Sequence, residues 1–187
     1  MMIGRTGIAI LRPYFLGRTQ RWSSSKAVFD KIAFLGVGKM AQALLHPVVV
    51  SGLQPASQIA VFDVSTEVCA AVQEQHNGIV VAATPNEAVQ DADLVVCAVK
   101  PQNLSDGFFA ELDLASSNKA STLLSVMAGT PTQVFLDGGF TKVARSMPNT
   151  PAQIGQGMTV WTCTDNIEQD ERDKIQTILG SFGEEVR

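Results

Sequence analysis

Gly36-Val37-Gly38-Lys39-Met40-Ala41 is a GxGxxA string set between a short apolar run and a helical pattern. Gly36 permits a tight turn. Gly38 keeps side chains away from an approaching pyrophosphate, and Ala41 lets the helix lie close to the strand before it. The first N–H groups of such a helix have no partner within it, so they are available to phosphate oxygens. A glycine pair alone is a weak signal and also suits a turn needed only for packing. Its place between strand and helix is what points to a dinucleotide.

Outward from this string the chain alternates strand and helix. Residues 31–36 read as an apolar strand, and residues 39–51 carry Met40, Ala43, Leu44 and Val48 at helical spacing. Pro47 should kink that helix. Strands follow at 58–63 and 79–81, separated by a helix over 65–75 with Ser65 as its N-cap. Thr84-Pro85-Asn86-Glu87 starts a short helix, with proline at the favoured first position. The continuous apolar run 94–99 suits a strand buried on both faces. Further strands are expected at 122–127, 142–146 and 157–162. A helix should restart at Thr130-Pro131, and another should span 165–181 with Ile167, Ile175, Ile178 and Leu179 as its apolar stripe. The pattern predicts an α/β, Rossmann-like, doubly wound fold with a mainly parallel sheet. Residues 30–187 form the dinucleotide-binding domain on this reading, and residues 1–29 stand apart from it.

That first segment carries Arg5, Arg12, Arg18, Arg21 and Lys26 and no acid, and Trp22-Ser23-Ser24-Ser25 lies near its end. Basic, acid-poor, serine-bearing leaders mark organelle transit peptides, so a mitochondrial destination is expected ahead of a plastid or the cytoplasm. The rest of the chain is acidic, since the whole has a formal charge of -4. An acidic body does not attract a nucleic-acid backbone. No apolar run approaches the roughly 18 residues of a membrane-spanning helix, so neither nucleic acid nor membrane is expected as a partner. The cysteines Cys69, Cys97 and Cys163 form no CxxC pair, and no metal site is expected. Cys97 lies within an apolar run and reads as a small buried hydrophobe.

Asp63 ends the second strand, 27 residues after Gly36. An acid there usually accepts hydrogen bonds from the adenosine ribose and repels a 2′-phosphate, which leans toward NADH; helix capping is the competing role. Ser65 and Thr66 follow closely and could still meet a phosphate.

Three more strings narrow the reading. They are Ala98-Val99-Lys100-Pro101-Gln102, Ser125-Val126-Met127-Ala128-Gly129-Thr130 and Arg145-Ser146-Met147-Pro148-Asn149-Thr150-Pro151-Ala152. With the leading GVGKMA, their order and spacing resemble the pyrroline-5-carboxylate reductases from about residue 31 to the end. The resemblance implies NADPH or NADH as cofactor and 1-pyrroline-5-carboxylate as small-molecule substrate, reduced to L-proline by hydride transfer. By matching motif it assigns the phosphate loop to Leu35, Gly36, Val37, Gly38, Lys39 and Met40. It sets Asp63 and Ser65 near the adenosine ribose, Asn86 at a cofactor contact and Val99 and Lys100 at a strand's C-terminal edge. Ala128 falls under the nicotinamide side, and residues 147–149, ending in Asn149, border the hydride-transfer pocket. Lys39 stands where the family commonly has an amide. The family continues into a helical domain that builds the substrate site and the homo-oligomer, and no such segment is read here. No catalytic acid is therefore assigned, and His46 and His76 read as structural. A related nicotinamide-dependent reductase, or a non-catalytic nucleotide-binding protein, stays open.

Overall fold

A computed structural model describes residues 27–104, 108–109, 112–114 and 121–187. The leader reading for residues 1–26 lies outside them. Val28 and Phe29, which the sequence reading placed with the leader, are buried in the core. The Phe29 N–H donates to Gln54 Oε1, and Gln54 Nε2 donates back to the Phe29 carbonyl. The folded body therefore begins two residues before the boundary read at residue 30.

One eight-stranded sheet organises the body, in the order β3-β2-β1-β4-β5-β6-β7-β8. Its strands are β1 (Ile32–Leu35), β2 (Ile59–Phe62), β3 (Val80–Val81), β4 (Leu94–Cys97), β5 (Thr122–Ser125), β6 (Lys142–Pro148), β7 (Gly157–Cys163) and β8 (Gly183–Val186). The helices are α1 (Lys39–Val50), α2 (Thr66–Gln75), α3 (Pro85–Val89), α4 (Thr132–Asp137) and α5 (Gln169–Gly180). All neighbouring strands run parallel except β6 and β7. A parallel return needs a crossover of a dozen or more residues, and the link between β6 and β7 is too short for one. It holds a single 3-10 turn, Thr150–Ile154, and turns back at Gly155 with φ +71°.

The central strands β1, β4 and β5 are buried along their full length. Their alternating side chains feed two cores. Phe34, Val61, Val96, Leu124 and Trp161 pack with α1 and α5 on one face. Leu35, Val95, Leu123 and Val143 pack with Phe135 and Phe140 on the other. Each such side chain contributes about 1.5–3 kcal/mol relative to exposure.

Several expected elements shift. α1 continues through Pro47 to Val50, because the proline costs only one N–H bond while Leu44, Leu45 and Val48 are anchored in the core. α5 starts at Gln169 rather than at 165, leaving Ile167 buried just before it. β8 is not foreseen by the sequence reading. It pairs with β7 at glycines: a side chain at Gly183, at φ +153°, would strike the Gly157 backbone, and one at Gly157 would strike Ala152 and the Phe182 carbonyl. Among the described residues no helix is long and apolar enough to cross a membrane.

Candidate functional site

The sheet order reverses direction at β1, which lies between β2 and β4. Parallel α/β sheets leave a crevice at such a reversal, outside the carboxyl ends of the strands. The segment after β1 enters that crevice. Gly36 adopts φ +83°, and a Cβ there would meet Ala98 C, Ala98 O and Val99 N, each at 3.0 Å. The turn is thus pressed against the end of β4, and the Gly36 N–H donates to the Phe62 carbonyl of β2.

Gly38 differs. It is extended, exposed, and a Cβ there would meet nothing within 4 Å. It is the N-cap of α1, makes no side-chain cap bond, and no acid stands in the first helical turn. The N–H groups of the first turn therefore face open space with the positive end of the helix dipole behind them. The open space at Gly38 and the charge of the helix end suit a pyrophosphate. Ala41 is buried on the strand side, as close helix–strand packing requires.

Val37, between the glycines, is held on both sides. Its N–H donates to Asp63 Oδ2 at 2.8 Å, and its carbonyl accepts from Gln42 Nε2 at 2.8 Å. The other oxygen of Asp63 accepts from the Ser65 N–H at 3.0 Å. Asp63 thus ties the end of β2 to the phosphate loop. Ser65 caps α2 as expected, its Oγ accepting from the Val68 N–H and donating to Glu67. The backbone N–H of Glu67 and the Ser65 hydroxyl together hold the Glu67 carboxyl below the usual glutamate range.

The remaining candidates reach the same edge. Val99 and Lys100 follow β4, and Lys100 is extended because Pro101 comes next. Lys39 and Lys100 are exposed, as is Ala128 in the turn after β5. The Asn86 side chain, in the first turn of α3, accepts from the Asp113 N–H at 2.8 Å. Asn149, beyond β6, uses its side-chain oxygen to accept from the Met158 N–H at 2.9 Å. That bond ties the two ends of the β6–β7 link together, and the amide N–H2 of Asn149 is its donor toward a ligand. Leu35 and Met40 flank the loop, with Leu35 fully buried and Met40 half-buried.

The sequence reading did not foresee Gln42 and Glu67, which reach the site only through hydrogen bonds. Nor did it bring His46 and His76 together, although their ring nitrogens lie 3.4 Å apart between α1 and the end of α2. Cys97 is buried against Met127, and burial pushes its thiol up to about 12. A thiol so placed is a packing group. No cluster of three or more His, Cys, Asp or Glu suited to a metal occurs among the described residues.

The family described as "NADP oxidoreductase coenzyme F420-dependent" matches residues 31–129. The pyrroline-5-carboxylate reductase of Escherichia coli (strain K12) is 35% identical over 160 residues, covering 82% of this chain and 57% of that protein. The pyrroline-5-carboxylate reductase of Glycine max is 31% identical over 153 residues, covering 81% of this chain and 55% of its own. A solved pyrroline-5-carboxylate reductase from Streptococcus pyogenes superposes with a TM-score of 0.67 at 26% identity, over 84% of this chain and 57% of that one. The fold is shared with the Coxiella burnetii reductase, at a TM-score of 0.76 and 24% identity over 84% of this chain and 58% of that one. A Plasmodium falciparum relative solved with NADP bound shares it too, at a TM-score of 0.69 and 21% identity over 87% of this chain and 59% of that one. The chain spans less than three fifths of each of these relatives.

Proposed function

The chain belongs to the NADP oxidoreductase coenzyme F420-dependent family and is kin to the cofactor-binding part of the pyrroline-5-carboxylate reductases; from that premise we propose that it serves the reduction of 1-pyrroline-5-carboxylate to L-proline. The single observation that carries the reading is the cradle after β1. It combines an uncapped α1 N-terminus, open space at Gly38 and a Val37 peptide fixed by Asp63 and Gln42.

A reduced nicotinamide dinucleotide, when bound, supplies the hydride. The chain's own part is to bind and to orient. The first N–H groups of α1 receive the pyrophosphate, with Lys39 beside them. Asp63 retains unused lone pairs for ribose hydroxyls. Val99 and Lys100 follow β4 and Ala128 follows β5 at the carboxyl edge of the sheet, and the Asn149 amide donates from a link stiffened by Pro148 and Pro151. Asn149 suits an amide or carboxylate oxygen, and Lys100 a phosphate or the substrate carboxylate.

Two further proposals rest on the leader and on the resemblance. The basic, acid-free residues 1–26 direct import into an organelle, the mitochondrion first, and a fusion of this segment to a fluorescent reporter should co-localise with a mitochondrial dye. Assembly into homo-oligomers is proposed for the whole protein from the resemblance alone.

Isothermal titration tests the central reading. The chain should bind NADH or NADPH saturably, and an assay of pyrroline-5-carboxylate-dependent oxidation of the reduced cofactor tests the reaction. Absence of binding to both dinucleotides overturns the reading.

A further inference from the structure

The half of the sheet that would receive the adenosine end of a dinucleotide has an unusual charge. Not one lysine or arginine occurs between Lys39 and Lys100. That stretch comprises nearly all of α1, then β2, α2, β3, α3 and β4. Within it lie Asp63, Glu67, Glu74, Glu87, Asp91 and Asp93. A 2′-phosphate on the adenosine ribose normally needs a cation there, and an acid at the end of the second strand normally receives the bare 2′-hydroxyl.

Three donors at this point are already engaged. Asp63 Oδ1 takes the Ser65 N–H, and the Ser65 Oγ takes the Val68 N–H. The Ser65 hydroxyl proton goes to Glu67 at 2.8 Å. The positive end of α2 is thus answered from within by a capping serine and a first-turn acid. A phosphate arriving beside it would meet two carboxylates joined through Ser65. The exposed cations flanking this stretch are Lys39, at the pyrophosphate end of α1, and Lys100, beyond β4.

We propose that Asp63 and Glu67 together make this an NADH-selective site, rejecting the 2′-phosphate, and that Asp63 is at the same time the positioning residue of the phosphate loop through Val37. The proposal rests on the dinucleotide reading above and sharpens it, because the matched family is described by NADP and this chain's residues suit the unphosphorylated cofactor. The two roles of Asp63 are coupled. A change that admits the 2′-phosphate also releases the Val37 N–H, so selectivity cannot be reversed at Asp63 without loosening the cradle. Glu67 reaches the loop only indirectly, through Ser65 and Asp63, so a change there bears on selectivity more than on the cradle.

The test is titration calorimetry of the 187-residue chain with NADH and with NADPH, for the wild type, Glu67→Lys and Asp63→Ser. The wild type should bind NADH about tenfold or more tightly than NADPH, the scale of one partly screened like-charge contact. Added salt should narrow that ratio. Glu67→Lys, an exposed change, should shift the NADPH-to-NADH binding ratio about tenfold toward NADPH. Asp63→Ser should shift the ratio toward NADPH while weakening NADH. Equal or tighter binding of NADPH by the wild type overturns the proposal and leaves the dinucleotide site standing. So does an unchanged ratio in Glu67→Lys. Failure of the wild type to bind either cofactor overturns the dinucleotide reading itself, and the proposal with it.

Discussion

A methyl group added at Gly36 would sit 3.0 Å from Ala98 C, Ala98 O and Val99 N, on a backbone already at φ +83°, whereas one added at Gly38 would meet nothing. The two glycines of one motif therefore answer to different demands: the fold requires the first, and no packing contact requires the second. Gly36→Val should cost about 2–4 kcal/mol, from left-handed strain and a displaced β4 edge together, read as a lower denaturant midpoint. Gly38→Asp should leave that midpoint within about 1 kcal/mol of wild type and weaken dinucleotide binding more than about 100-fold, since a carboxylate would face the pyrophosphate. Equal destabilisation by both would mean that Gly38 is a packing glycine. His76 supplies a second prediction. It is buried, and burial first, then the neighbouring His46, lowers its pKa below the usual histidine value. The unfolded chain therefore takes up this proton first as the pH falls. Stability is fully present above about pH 6.5 and declines as pH drops through that value. Urea midpoints should be lower at about pH 5.5 than at about pH 7.5, and His76→Gln should flatten the difference. A slope unchanged in His76→Gln would assign the effect to other groups.

At the scale of elements, legibility in sequence tracks how each element is stabilised. β1 and β4 stand out as continuous apolar runs because both of their faces are buried. The starts of α2 and α3 are visible because Ser65 caps the first through its own side chain and Pro85 opens the second, where the structure adds a cap from Thr84. β8 is invisible for the opposite reason. Its Gly-Glu-Glu-Val carries two acids, and it forms because α5 returns the chain beside β7, where Glu185 accepts from Trp161 Nε1 at 2.6 Å. The same distinction divides the site. The phosphate loop is legible because its residues are contiguous, whereas the bond from Val37 to Asp63 joins positions 26 apart and depends on β1 and β2 lying side by side. Asn149 was legible as a polar group in a stiff link, but not as a group that spends its oxygen on β7. α5 offers the test at this scale. Ile178 is fully buried on its sheet-facing side, and α5 is also tied to the sheet by Glu171, which receives Lys142 Nζ at 2.7 Å and the Thr122 hydroxyl. Ile178→Ala should cost about 2–4 kcal/mol by chemical denaturation. Glu171→Gln should cost less, because the salt bridge it weakens is only partly buried. The reverse ranking would mean that α5 is held by charge rather than by packing.

At the scale of the whole molecule, binding and turnover come apart. Most groups described at the carboxyl edge of the sheet suit the holding of a dinucleotide: helix N–H groups, the Asp63 carboxylate and the peptides braced around Val37. Toward a substrate the same edge offers less, namely the Asn149 amide and the Lys100 ammonium, from one side of the crevice. The chain also spans only 57% of the Escherichia coli relative. Holding an imine carbon against a nicotinamide carbon can lower the barrier by roughly 7–11 kcal/mol when both partners are fixed, and a misplacement of about 1 Å can forfeit 100-fold. A cleft open on one side also admits water to a charged iminium. Residues 1–187 tested alone should therefore bind the reduced dinucleotide and gain stability from it, by about 2.7 kcal/mol at a ligand concentration 100 times its Kd. Their oxidation of that cofactor with 1-pyrroline-5-carboxylate should run below about a hundredth of the rate of the Escherichia coli enzyme measured beside them. The two measurements use one preparation, a thermal shift with and without cofactor and the decay of reduced-nicotinamide absorbance. A thermal shift without turnover is the expected result. Turnover at the rate of the longer relative would place the whole catalytic apparatus within these residues and refute the one-sided site, while turnover of other imines in preference would refute the substrate.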